Sequence, residues 1–199
     1  ILSNSTTGTV APGTSPGTLT VDSVFSNFGT VQIELGGTNP GQYDTLAVTG
    51  VANLGATLQV TLVNGFVPVS GNAFIILTAD SIADQFAAVN YPSVPGIAWT
   101  ITYLATSVRI NAQDALPSCT NLTTPVNGAT DVAVTTDLTW APATGVVIGY
   151  HLNIGTTPGG TEILENFDVL VTTYDPPGNL PFATTIYVTI IPFNATGDA

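Results

Sequence analysis

The sequence predicts an all-β protein: coils of a right-handed parallel β-helix, then a two-sheet β-sandwich. Three observations carry that expectation. The chain holds 20 Gly and 14 Pro, and β-branched residues fill its periodic stretches, a composition that favours strands and turns over helices. Phrases in the first half recur at a spacing of 27 residues, the length that one solenoid coil of two or three short strands requires. The second half changes to short, alternating apolar segments parted by turn residues, the pattern of strands buried on one face.

The first-half elements follow from the repeat. Leu19-Thr20-Val21 recurs as Leu46-Ala47-Val48, Val24 as Val51, and Val31-Gln32-Ile33-Glu34-Leu35 as Leu58-Gln59-Val60-Thr61-Leu62. Asn27-Phe28-Gly29 reads as Asn53-Leu54-Gly55, so the spacing slips to 26 there. Each coil then buries alternate residues, and its neighbours satisfy its backbone. Phe74-Ile75-Ile76-Leu77 and Trp99-Thr100-Ile101-Thr102-Tyr103 continue the stack with looser spacing, as a terminal cap does. Ile82–Val89 is the one window that reads as a helical turn. An alternating strand, Ser107–Asn111, ends a first domain of residues 1–111, and 112–118 form a linker.

Residues 119–199 form the second domain. Leu138-Thr139-Trp140, then Ile148, Tyr150, Leu152 and Ile154, then Ile186, Val188 and Ile190 mark its strands. Asn127-Gly128, Pro158-Gly159-Gly160 and Pro176-Pro177-Gly178 mark the turns between them.

Charge limits the chemistry. Thirteen acidic residues, one Arg and no Lys give a net charge of -12. Phosphate, anionic cofactors and nucleic acid are held by basic side chains, so a nucleic-acid partner is excluded. No apolar run approaches the ~18–20 residues of a membrane helix, and no membrane insertion is expected. The chain starts at Ile1 without a Met, which reads as a processed product or an excerpt. Candidate paired carboxylates are Asp22, Glu34, Asp44, Asp80 and Asp84. The best pair, Glu34 and Asp44, flanks the Gly36–Gly41 turn, yet neither sits in a catalytic motif, and solvated acids at coil edges are expected. A single His rules out a His-rich metal centre or a His-based triad within one chain, and His151 is expected to point outward. Arg109 is expected to pair with a local acid or to snorkel. Asp131 and Asp137 are the one pair placed to share a calcium ion. The expectation is a non-enzyme with no cofactor.

Three resemblances sharpen this reading. Leu138-Thr139-Trp140, Leu180-Pro181, Thr185-Ile186-Tyr187-Val188-Thr189 and Pro192-Phe193-Asn194-Ala195-Thr196-Gly197 resemble fibronectin type III domains of the immunoglobulin-like sandwich class. The resemblance implies a core Trp140, a corner tyrosine at Tyr187 with its hydroxyl bonded to nearby backbone, and a final strand that is missing. Ala11–Val21 and Tyr43–Gly50 resemble the last coils of autotransporter-like β-helices. The wording of both halves is similar to repeats in large secreted surface proteins of Bacteroidota. That likeness implies type 9 secretion, an extracellular cell-surface location, and a disulfide from Cys119 to a cysteine outside this chain. It also implies O-glycosylation at Ser23, Thr45 and Ser81, in Asp22-Ser23-Val24, Asp44-Thr45-Leu46 and Asp80-Ser81-Ile82; ordinary strand-edge turn chemistry is the alternative. N-linked sequons begin at Asn4, Asn121 and Asn194. The function these resemblances imply is a structural and adhesive segment of a surface adhesin or filament, with a role in gliding motility as its extension. Its partners are neighbouring repeats of a parent chain or other subunits. The competing expectation is a non-catalytic carbohydrate-binding accessory, with Trp99, Tyr103 and Tyr91 as a stacking platform.

Overall fold

The computed structural model describes all 199 residues and contains nineteen strands and no helix. It divides into two compact units, Ile1–Gln113 and Asp114–Ala199, each with its own hydrophobic core.

The first unit is a β-solenoid of about three turns. Its first coil holds β1 (Leu2–Asn4), β2 (Thr9–Val10) and β3 (Thr18–Val21). The second holds β4 (Phe25–Asn27), β5 (Thr30–Leu35) and β6 (Thr45–Val48), and the third β7 (Val51–Asn53), β8 (Thr57–Leu62) and β9 (Ala73–Thr78). Corresponding strands pair in parallel, giving three sheets along the stack. In β5 the burial alternates residue by residue, with Val31, Ile33 and Leu35 inward. Leu46, Leu58, Val60 and Phe74 meet them in the core.

Between the second and third coils the offset is 27 residues along β4–β7 and β5–β8 and widens to 31 at β6–β9, where Leu46 lies beside Leu77. Thr30 lies beside Thr57, Leu35 beside Leu62, and Ser26 beside Asn53. The slip to 26 is therefore corrected: Asn27 and Asn53 are not equivalent. A one-residue slip turns a strand's apolar set to the wrong face, and the stack does not permit it. The residue beside Asn27 is Asn4, in the first coil.

The solenoid closes differently from the expectation. The window read as a helical turn is instead β10 (Ser81–Ile82), a bend, and β11 (Ala88–Asn90). Ala83 and Ala87 donate their N–H groups to Ala52 O and Gly55 O, which holds this segment on the coil before it. That pairing outweighs weak helix propensity in so short a window. In the third sheet, β13 (Ser107–Asp114) runs antiparallel to β9. β12 (Ile97–Tyr103) lies outside β13, so Trp99–Tyr103 do not continue the parallel stack. The segment expected as a linker starts inside β13.

The second unit has two three-stranded sheets. One has the order β14 (Leu122–Thr124), β15 (Leu138–Trp140), β18 (Thr173–Tyr174). The other runs β17 (Leu164–Val169), β16 (Gly149–Gly155), β19 (Tyr187–Phe193). The observed pairings are antiparallel. Leu138 and Trp140 from the first sheet and Tyr150, Leu152, Ile154 and Val169 from the second share one core. The rings of Trp140 and Tyr150 meet edge to face at 5.4 Å.

Candidate functional site

In the solenoid, the buried polar side chains join one coil to the next. Asp44 is only 1% exposed. Its Oδ1 accepts the Gly17 N–H at 2.7 Å and its Oδ2 the Glu34 N–H at 2.9 Å. Burial holds its carboxyl above the usual range, partly offset by those two N–H donors. Asp44 is thus a staple between coils, not a solvated acid facing Glu34 across a cleft. Asn4 donates to Asn27 Oδ1 at 2.7 Å and to Thr30 O, and Asn27 donates to Leu54 O at 2.8 Å. One coil further on, Asp84 accepts from Leu54 N and Gly55 N. Sequence reasoning missed this Asn ladder. Its signal was Asn recurring on the inward side of β1 and β4, where an apolar residue belongs.

Trp99, Tyr103 and Tyr91 do come together, as half-buried residues packed on the solenoid core. Trp99 stacks on Tyr91 at 5.8 Å with the planes 6° apart, and Phe74 lies 6.5 Å away. The Trp99 indole N–H donates to Pro92 O, and the Tyr103 hydroxyl accepts from Phe86 N. The Tyr91 hydroxyl is buried without a partner, and burial pushes it up to about 12. A sugar-stacking platform presents an aromatic face to solvent; here one face of Trp99 is already taken by Tyr91.

The modification candidates are spread along the solenoid. Ser23 is half-buried in the turn after β3, where its N–H bonds Val21 O. Thr45 opens β6 beside Thr18, and Ser81 is exposed in β10. Two of the three N-linked sequons fail on burial: Asn4 is 5% and Asn194 6% exposed, with both amides engaged. Asn194 ties the end of β19 to Ala115 O and Val146 O. Cys119 is exposed and free. Arg109 is exposed and has no acid within 4 Å, so the expected local pairing does not form.

His151 faces outward as expected, away from the core residues Tyr150 and Leu152, but it is half-buried there by its neighbours. Its ring stacks on Phe193 at 4.2 Å, Nδ1 lies 2.7 Å from Asp168 Oδ1, and Nε2 lies 3.3 Å from Asp198 Oδ1. Only a protonated ring donates on both sides. The two carboxylates lie against opposite ring nitrogens, and no group of three His, Cys, Asp or Glu is placed to hold a metal ion. Asp131 and Asp137 bring no third acidic ligand together. Trp140 is buried, with its indole N–H unpartnered. Tyr187 is 36% exposed, which corrects its assignment to the core. Parity explains this: Val188 and Ile190 face the core, so Tyr187 and Thr189 face out.

The second unit carries an open groove of about 890 Å³. Leu122 and Leu138 line one side, and Ile186, Val188 and Ile190 the other. Asp131 is the one charged residue on its walls. No protein-family model matches this chain, and no curated protein matches it in sequence.

Proposed function

We infer that this chain is a non-catalytic, load-bearing and contact-making segment of a secreted cell-surface protein. The observation that carries the reading is the parallel stacking of the coils, with Asn4, Asn27, Asp44 and Asp84 all joining one coil to the next. Such a stack resists extension because many backbone and side-chain bonds must yield together. The second unit is read as a fibronectin type III-like sandwich; its two sheet orders and shared core support that reading. The surface location rests on the resemblance to Bacteroidota repeats. The exposed Ser81 and Cys119 are compatible with glycosylation and with a disulfide to a cysteine elsewhere.

Two experiments test this. Single-molecule pulling of the 199-residue chain should release the first unit in one event, lengthening it by about 3.5 Å per residue. Peeling coil by coil at low force argues against a load-bearing role. Antibodies raised on the chain should label intact, unpermeabilised source cells; labelling only after permeabilisation overturns the surface assignment.

A further inference from the structure

Arg109 is the single guanidinium of the chain, and it stands on a sheet face without acids. β13 exposes it between Val108 and Ile110, which are both buried. The register shift between Val108 and Arg109 leaves Ile76 and Leu77 of β9 both buried and sets Ile75 beside Arg109; bulges re-aim side chains in this way. Ile75 is 45% exposed. No charge occurs in Ala73–Thr78, and Arg109 is the one charged residue of Ile97–Gln113.

The neighbouring strand adds donors. Trp99, Ile101 and Tyr103 of β12 pack on the core, so Thr100 and Thr102 between them lie on the outer face. Asn111 shares that face with Arg109, two residues away. Its Nδ2 donates to Thr100 Oγ1 at 3.4 Å and to Thr102 Oγ1 at 3.2 Å. A hydroxyl has one proton to give and two lone pairs to accept with. Each threonine oxygen accepts from Asn111, which leaves its proton to be donated outward. The patch thus holds a guanidinium fork and two hydroxyl donors beside an exposed apolar side chain.

The rest of the chain limits what this patch can take. An unpaired guanidinium matches one carboxylate through two parallel N–H donors. A polyanion is repelled by a chain of net charge -12; a ligand with one carboxylate is repelled least. Sugar oxygens accept from hydroxyl donors, and the C–H face of a sugar ring packs on an aliphatic side chain. We propose that the outer face of β12 and β13 around Arg109 binds a glycan-terminal sugar acid carrying one carboxylate. Arg109 holds the carboxylate, Thr100 and Thr102 donate to sugar oxygens, and Ile75 covers the C–H face. The site is on the opposite face of β12 from Trp99 and Tyr103. It supplies a ligand class for the contact-making role inferred above and rests on that role.

Heteronuclear NMR titration of the whole isotope-labelled chain tests it. The probes are the methyl glycosides of glucuronic acid and of N-acetylneuraminic acid, with neutral methyl glucoside and acetate as comparisons. At least one sugar acid should saturate with a dissociation constant of about 1 mM and shift the amides of Ile75, Thr100, Thr102, Arg109 and Asn111. Methyl glucoside and acetate should each bind about tenfold or more weakly. R109Q should lose the sugar acid by about tenfold or more, and R109K, which keeps the charge but not the fork, should fall between. The exposed Arg109 side chain can be changed without loss of the folded spectrum. The double variant T100V/T102V should weaken the sugar acid and leave acetate unchanged. No saturation by about 20 mM, shifts centred elsewhere, equal binding of methyl glucoside or acetate, or full binding by R109Q overturns the proposal. Binding is read in solution, so its failure leaves the pulling and cell-labelling outcomes standing.

Discussion

Asp44 carries two backbone N–H groups on one buried carboxylate. Asp44→Asn turns one of those acceptors into a donor and strands an N–H. We expect a loss of about 1–3 kcal/mol in urea unfolding of the first unit. The pH dependence has a definite sign. Because burial raises the folded carboxyl above its usual value of 3.8, the folded state holds this proton longer than the unfolded state. Its contribution is full below that value and falls as pH rises through the folded value. The gap between wild type and Asp44→Asn should therefore narrow from acid towards neutral pH, read as urea midpoints across the range. Gly29 is constrained by contact: a Cβ there collides with the carbonyls of Ser5 and Gly8. Gly29→Ala should cost at least about 1 kcal/mol, from displaced backbone. At this scale the sequence was only partly legible. Asp44 and Glu34 stood out as a pair, but nothing local says that one of them is buried. His151 was legible as a lone histidine; its contacts with Asp168 and Asp198 come from strand pairing and a turn far along the chain.

Elements were read more readily, because a solenoid writes its period into the sequence. The β3–β6 and β5–β8 pairings fall where the repeated phrases put them. Asn27 was misassigned because Asn-x-Gly is a turn phrase in both coils, and a shared turn does not fix register. The contrast is measurable. Asn27→Ala removes the acceptor of Asn4 and the donor to Leu54 O inside the stack, with an expected loss of about 1–3 kcal/mol. Asn53 makes only partly buried bonds of 3.3 Å, so Asn53→Ala should cost less than about 1 kcal/mol. Equal costs in chemical denaturation would contradict the ladder. The antiparallel closure by β13 was illegible, since alternation is the same for a strand running either way. The Ile82–Val89 window misled because short apolar runs fit a helical turn or a strand equally well until a neighbour pairs with them.

Two cores in one chain make two melting transitions the expected behaviour. Each unit owns one tryptophan, Trp99 in the first and Trp140 in the second. Trp99→Phe leaves fluorescence reporting the second unit alone, and Trp140→Phe the first; a single coincident midpoint in both variants argues against independent cores. Raising ionic strength to about 0.15 M shortens the screening length to ~8 Å, so both midpoints should rise in a chain of net charge -12. The division into two halves was legible because the repeat stops where alternation with turn signals begins. The expected end of the first domain, at residue 111, fell slightly early, since β13 runs on to Asp114. The 27-residue offset between β5 and β8 also acts as a length gauge. Duplicating one such stretch inserts a rung about 4.8 Å thick and leaves every inward residue inward. Inserting 26 or 28 residues within a strand reverses the strand's faces beyond that point. The rod's length is therefore heritable in whole rungs, adjustable by recombination without redesign of the core.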